Sequence, residues 1–309
     1  MTRSIPGIHH VTAISGPPQP NVDFYTGMLG QRLVKKTVNF DAPDTYHLYY
    51  GDQFGTPGTI MTFFPFVNAG PGRPGPGMAS AHAYRVPAGG IDAWMARLGD
   101  AAADFELGER FGQRMLTLRD PDGAAVELIE TGAGSGEALD GFHSVTLWTR
   151  DPDGTARVLT DIFGYAEAGE ERTAAETRTR FVAPGGARGS IVDLIRVAGT
   201  HLARPGAGTI HHVAFRAESG AVQLEWRARV LEAGHDVTPP IDRNYFNAIY
   251  FREPGGVLFE IATDPPGFAV DEPVEALGEA LKLPPQYEGR RAQIERILPP
   301  VRVPVRAGA

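Results

Sequence analysis

One unit is written four times along this chain, and that recurrence limits the fold more than any other feature of the sequence. Each copy opens with an apolar run, continues with a helical pattern closed by glycine, and ends in a turn leading to another apolar run. The opening runs cover residues 8–14, 80–86, 141–147 and 209–215. The helical patterns are 21–29, with Asn21 as N-cap and Gly30 as C-cap, then 91–98 closed by Gly99, 151–164 ending at Gly164, and 221–233 closed by Gly234. Turns at 56–58, 120–123, 184–186 and 253–256 carry Gly, mostly beside Pro, and lead into closing runs at 59–66, 124–129, 190–195 and 257–262. Further strands are expected at 32–39, 45–50 and 248–252.

When the copies are aligned, the opening strands place His10, Ala81, Ser144 and His212 in one column. A slip of one residue would put His82 where Ala81 stands. The closing strands place Thr62, Glu127, Asp193 and Glu260 in another column. The expectation is an α+β fold of four βαβββ modules that pair into two cup-shaped half-barrels, with the active cup built from the first and fourth modules. Modules one and two fall in 1–135, modules three and four in 136–263, and a tail at 264–309 packs on the body. Pro/Gly-rich stretches at 68–77 and 199–208 read as linkers, and 132–136 as a flexible junction. In the tail, 275–281 and 287–297 are expected to be helical, with Leu277, Leu281, Ile294 and Leu298 turned inward.

Composition narrows the function. Of 309 residues, 42% are hydrophobic, enough for a sizeable core. The 38 glycines and 26 prolines suit many strands joined by tight turns. A net charge of −8 without a basic stripe argues against nucleic-acid binding. No apolar run reaches the length of a membrane span, and the first residues lack the apolar core of a signal peptide. The expectation is a cytoplasmic protein with small-molecule partners and no membrane partner, whose open β-rich surface fits a homo-oligomer. With no cysteine, any metal must be held by His, Asp or Glu.

Two of the opening strands carry adjacent histidines, His9-His10 and His211-His212. Side chains alternate along a strand, so only one of each pair faces a given cavity. The His211 face continues into Val213 and Phe215, as a face packed on a helix would. The His10 and His212 faces continue with Thr12 and Ala214, small enough to leave room for a guest. His10 and His212 are therefore expected to point inward, where the closing-strand column adds Glu260. Two imidazoles and one carboxylate suit a non-haem Fe(II) facial triad, and also Zn(II) or Mn(II). Thr62, the fourth inward position, offers no strong ligand and leaves that side open. In the other cup Glu127 and Asp193 are expected to be a polar pair solvated at a strand end, without metal.

The chain resembles the vicinal-oxygen-chelate (glyoxalase, bleomycin-resistance and extradiol dioxygenase) superfamily, and within it the ring-cleaving dioxygenases that open hydroquinones. The resemblance spans the whole chain and rests on an ordered set of motifs. These are Gly7-Ile8-His9-His10-Val11-Thr12-Ala13-Ile14, Ile210-His211-His212-Val213-Ala214-Phe215, Asp242-Arg243-Asn244-Tyr245-Phe246, and Tyr250-Phe251-Arg252-Glu253-Pro254-Gly255-Gly256 with Glu260. Leu283-Pro284-Pro285 and Ile297-Leu298-Pro299-Pro300 in the tail complete it. It implies Fe(II), with Mn(II) fitting the same ligands, held by His10, His212 and Glu260. It further implies that Arg243, Tyr250, Thr12, His9 and His211 surround the site, that the substrate is an aromatic diol, and that O2 is the co-substrate. Rival readings are a glyoxalase-type isomerase or thiol transferase, an extradiol catechol dioxygenase, and a metal-free binder of an aromatic compound.

Overall fold

The computed structural model describes residues 3–132, 136–199 and 201–303. The first module contributes β1 (Ile8–Ser15), β2 (Arg32–Asn39), β3 (Ala42–Gly51) and β4 (Ile60–Pro65). The second contributes β5 (Met78–Val86), β6 (Phe105–Arg110), β7 (Gln113–Arg119) and β8 (Ala125–Glu130). The third contributes β9 (Phe142–Trp148), β10 (Ala166–Arg172), β11 (Glu176–Val182) and β12 (Ile191–Val197). The fourth contributes β13 (Thr209–Ala217), β14 (Ile241–Asp242), β15 (Phe246–Arg252) and β16 (Leu258–Pro266). A helix follows the first strand of each module: Pro18–Val22 running on into Asp23–Met28, Gly90–Asp100, Pro152–Arg157 running on into Val158–Ile162, and Gly220–Glu232. This is the βαβββ unit, four times over.

The modules pair first with fourth and second with third. One sheet runs β14-β15-β16-β13-β1-β4-β3-β2, the other β10-β11-β12-β9-β5-β8-β7-β6. Within each module the opening and closing strands lie side by side and parallel, and the helix and two intervening strands provide the crossover a parallel pair requires. Modules meet through antiparallel pairs, β1 with β13 and β5 with β9. Thr62, Glu127, Asp193 and Glu260 lie opposite Thr12, Ala83, Thr146 and Ala214, one common register. His82 lies opposite Val126 and Val145, one residue out of that column, so Ala81 is the inward member. The outward faces bury their apolar residues under the helices; Phe215 meets both Phe163 and Phe259 at 4.9 Å between ring centres.

Several local expectations change. The first helix begins at Pro18, because a proline fits the first helical position where no N–H partner is needed. Asn21 therefore lies inside the helix, and its Oδ1 accepts a 2.8 Å bond from the Tyr50 hydroxyl. Gly99 does not end the second helix; a lone glycine weakens a helix by about 1 kcal/mol without stopping it. The chain turns instead at Ala102, whose φ is 50°. Strands β6, β7, β10, β11 and β14 escape an apolar-run criterion, since β6 and β10 expose Glu106, Glu109, Glu167 and Arg172.

The tail is less helical than its pattern suggests. Of the helix expected at 275–281, a 3-10 turn at Val274–Ala276 is what forms, and Gly278, with φ 81°, then passes against the Leu33 carbonyl as the chain crosses β2. The second tail helix is split into Pro285–Glu288 and Arg291–Ile297. Leu277, Ile294 and Leu298 are buried and Leu281 packs at the edge of the core. The two long linkers pair with each other: the Gly72 N–H donates to the Ala207 carbonyl at 2.8 Å and the Arg73 N–H to the Arg204 carbonyl at 2.7 Å. Of the junction at 132–136, residues 133–135 lie outside the described residues, as does residue 200 of the second linker. No helix among the described residues is long and apolar enough to cross a membrane.

Candidate metal centre

In the sheet of the first and fourth modules, the two central strands and their parallel neighbour bring His10, His212 and Glu260 to one point. Their ligand atoms all lie within 4.8 Å of one another and all three residues are buried. Glu260 Oε2 is 2.9 Å from His212 Nε2 and 3.4 Å from His10 Nε2. The imidazole rings stand edge to face with centres 5.6 Å apart. The Glu260 carboxylate is 0% exposed, yet neither oxygen has a well-aligned hydrogen bond. The short approach to the two Nε2 atoms is therefore a convergence of lone pairs as much as an ion pair. Burial alone would raise the Glu260 pKa, but the two imidazoles beside it hold it well below the ordinary carboxylate range. His212 is shifted down, chiefly by burial and against the pull of Glu260. A buried carboxylate without well-aligned donors, facing two imidazole nitrogens, is a donor set complementary to a divalent cation.

The adjacent histidines depart from strand alternation. The β1–β13 register skips one residue at His9 on β1 and one at His211 on β13, so each sits at a β-bulge. A bulge gives two residues on one strand against one on its partner and re-aims their side chains. His9 and His211 are thereby turned toward their neighbours rather than to the far face expected of a regular strand. His9 Nδ1 lies 2.9 Å from His10 Nδ1, and His211 Nδ1 lies 2.7 Å from His212 Nδ1. For each inner histidine to offer an Nε2 lone pair, its Nδ1 must carry the proton and donate to the outer one. The outer pair thus fix tautomer and ring direction. The Thr263 carbonyl faces His9, and burial first, then His10, keeps the His9 pKa well below its ordinary value. The second sheet repeats the device: its register skips Ser80 and His143, and His143 Nδ1 lies 3.0 Å from Ser144 Oγ.

The remaining residues of interest line the same cup. Tyr250 is the cross-strand partner of Glu260, and its ring stands 5.9 Å from that of His212. Burial, then Glu260, push its phenol above the ordinary range, so it stays protonated. Arg243 Nε donates to the Tyr250 oxygen at 3.3 Å, and an Arg243 guanidinium nitrogen reaches Asp41 at 3.3 Å, joining the edge beyond β14 to the β2–β3 hairpin. The Thr12 and Thr62 hydroxyls lie 3.0 Å apart, and each can donate to the other. The floor is apolar, built from Ala214, Ala248, Ala262, Phe246 and Tyr49. Phe246 packs on both His9 and His10, with centres 5.3 and 5.0 Å away. Behind it lies a cavity of about 270 Å³ that His9 and Tyr245 help to line.

Two groups in this cup carried no signal strong enough to single them out in the sequence. His47 on β3 approaches Thr62 Oγ1 and the Tyr49 hydroxyl, each at 2.8 Å. Only the alternation Thr45, His47, Tyr49 hinted at its direction. Lys35 on β2 is fully buried, bound to Asp271 at 2.5 Å and to Glu272 in the tail.

The second cup corrects one expectation. Glu127 and Asp193 are not solvated; they are 5% and 0% exposed. Arg110 binds Glu127 through two nitrogens, and Arg180 donates to the two oxygens of Asp193 at 2.8 and 3.0 Å. Arg178 adds a 2.9 Å bond to Thr146. Guanidinium groups fill the space and satisfy the carboxylates, because a buried carboxylate must be paired.

Comparison with known proteins follows the same lines. A family model described as "Glyoxalase/Bleomycin resistance protein/Dioxygenase superfamily" matches residues 7–128 and 141–261. A protein of Bacillus subtilis (strain 168) named "Putative ring-cleaving dioxygenase MhqO" is 46% identical over 98% of this chain and 99% of its own. A "Chlorohydroquinone/hydroquinone 1,2-dioxygenase" of Sphingobium indicum is 35% identical over 95% of this chain and 96% of its own. A crystal structure of a "putative dioxygenase" from Bacillus subtilis superposes with a TM-score of 0.92 at 45% identity, covering 98% of this chain and 99% of that one. Glyoxalase I of Zea mays superposes with a TM-score of 0.64 at 14% identity over 84% of this chain and 92% of its own, a likeness of fold.

Proposed function

The chain belongs to the Glyoxalase/Bleomycin resistance protein/Dioxygenase superfamily, and from that premise we propose that it is an Fe(II)-dependent ring-cleaving dioxygenase acting on a hydroquinone or a substituted, including chlorinated, hydroquinone. The observation that carries this is the Glu260 carboxylate, buried, ionised and without a well-aligned donor, with His10 and His212 aimed at it. Three protein ligands of this kind leave coordination positions for a diol and dioxygen. The relatives named as ring-cleaving dioxygenases align end to end with this chain, which supports the same chemistry here.

His10, His212 and Glu260 would hold the ion. When bound, it supplies Lewis acidity toward a coordinated hydroxyl and a path for electrons between ring and dioxygen. The protein's own groups do the rest. His9 and His211 keep the inner imidazoles in the ligating tautomer. Ala214, Ala248 and Ala262 leave space for a planar ring against Phe246. Arg243 sets a permanent positive charge where a ring oxygen becomes anionic, and Tyr250, kept protonated, donates to an oxygen on the same side. A glyoxalase-type isomerase on this fold commonly places a second carboxylate in the cup. Thr62 holds that column position, which weighs against the isomerase reading.

The test is anaerobic Fe(II) loading followed by an oxygen-electrode assay against para- and ortho-diphenols. One O2 consumed per ring opened, with para-diols preferred, is expected. Stoichiometric iron without oxygen uptake on any diol overturns the proposal.

A further inference from the structure

His47 is the histidine in the active cup that the repeat does not explain. It lies near the middle of β3, opposite Thr37 on β2, and projects with Tyr49 toward Thr62 on β4. Its Nε2 is 2.8 Å from Thr62 Oγ1, and its Nδ1 is 2.8 Å from the Tyr49 hydroxyl. Thr62 Oγ1 is 3.0 Å from Thr12 Oγ1, and Thr12 is the cross-strand partner of His212. Each of these four groups can give and take a hydrogen bond. Together they form a continuous path from beside the candidate metal centre to a neutral imidazole.

The other polar groups of the cup are committed. His10 and His212 present Nε2 to Glu260 and bind His9 and His211 through Nδ1. Arg243 has no acceptor, and the Tyr250 phenol is held in its protonated form. Lys35 is bound between Asp271 and Glu272. His47 itself starts neutral, since burial first, then His10 and His212, lower its pKa well below the ordinary value; the negative charge left on the diol oxygen is what would retain a proton there.

We propose that His47 is the proton acceptor of this cup, receiving through Thr12 and Thr62 the proton of the diol hydroxyl that lies against Thr12. The O–H bond of the diol breaks, its electron pair stays on oxygen, and an N–H bond forms at His47 Nε2. The two hydroxyls rotate so that Thr12 donates to Thr62 and Thr62 to His47 Nε2, and each threonine passes on one proton as it takes one. The Tyr49 oxygen then accepts from His47 Nδ1–H. No electron leaves the ring in this step. The inference rests on the ring-cleavage reading, and it assigns a role to a wall of the cup that contains no metal ligand.

The test uses Fe(II)-loaded wild type, His47→Gln, Thr62→Val and Thr62→Ser, titrated with hydroquinone without oxygen. Calorimetry in buffers of different ionisation enthalpy counts protons released, and ultraviolet difference spectra report phenolate. In wild type and Thr62→Ser the phenolate band is expected with no net proton in the buffer. In His47→Gln and Thr62→Val either the band is lost or about one proton per site escapes to the buffer. With oxygen, their kcat falls about a hundredfold, the low end for losing a general base, while KM stays within about threefold. Thr62→Val leaves His47 in place, so it carries the test if His47→Gln does not fold. A His47→Gln protein that keeps both band and proton count overturns the assignment alone. A wild type that takes up no oxygen with any diol overturns the ring-cleavage reading and this inference together.

Discussion

Replacing Lys35 with methionine removes the buried charge that ties the tail across the active cup. Lys35 is 0% exposed, its ammonium is bound by Asp271 and Glu272, and the Tyr245 ring lies 4.9 Å away. Methionine keeps most of the packed stem but leaves two carboxylates uncompensated. Their fates differ. The Asp271 side chain is 31% exposed and keeps the Tyr245 hydroxyl as donor at 3.0 Å, so water can take the place of the ammonium. The Glu272 side chain is 3% exposed and its Oε1 has no partner, so its charge is stranded. Stranding one partner of a buried pair costs about 3–5 kcal/mol, and with one of the two carboxylates able to rehydrate the lower end, about 3 kcal/mol, applies. Unfolding entropy of about 2.1 cal/mol/K per residue gives about 0.65 kcal/mol/K for a cooperative unit of this length, so Tm should fall by about 5 °C. Differential scanning calorimetry on the metal-free protein measures it. The double variant Lys35→Met/Glu272→Gln removes the stranded charge and should recover about half of the loss. A Tm within 1 °C of wild type for Lys35→Met, or losses that simply add in the double variant, would refute the electrostatic account.

Four further outcomes follow from the structure. Fe(II) or Mn(II) at a thousandfold excess over its Kd should stabilise wild type by about 4 kcal/mol in thermal melts, with the gain abolished in Glu260→Gln. His9→Phe and His211→Phe should each weaken metal affinity about 10- to 100-fold in chelator competition, because the inner imidazole loses the acceptor that fixes its tautomer; unchanged affinity would remove that role. Arg243→Met should lower kcat/KM by about a hundredfold in oxygen-uptake kinetics with iron content unaltered. His82 is buried without hydrogen-bond partners and its pKa is pushed down by burial to about 3. Its folded pKa lies below its unfolded one, so its contribution is intact above about pH 6.5 and is lost as pH falls toward 3, where the unfolded chain binds a proton that the fold excludes. His82→Phe should therefore shrink the drop in denaturant-measured stability between pH 7 and pH 5 by up to about 2 kcal/mol, and an unchanged pH slope would count against it.

The amino-acid order alone determines the repeated module, the inward columns and the three converging residues. The reason is that strand periodicity and turn chemistry are local, and a fourfold repeat lets weak local signals reinforce one another. His10, His212 and Glu260 could be paired by column because opening and closing strands of one module share a register. Three features needed the folded molecule. The bulges at His9 and His211 exist only in the pairing of β1 with β13, where each strand meets a partner distant in sequence. The Glu127 and Asp193 carboxylates looked solvated until strands β6 and β11 brought Arg110 and Arg180 over them. His47 and Lys35 gain their meaning from neighbours on β4 and in the tail. A sequence records which side of its own strand a residue takes, but the group it meets there belongs to another segment, and only the tertiary structure chooses that segment.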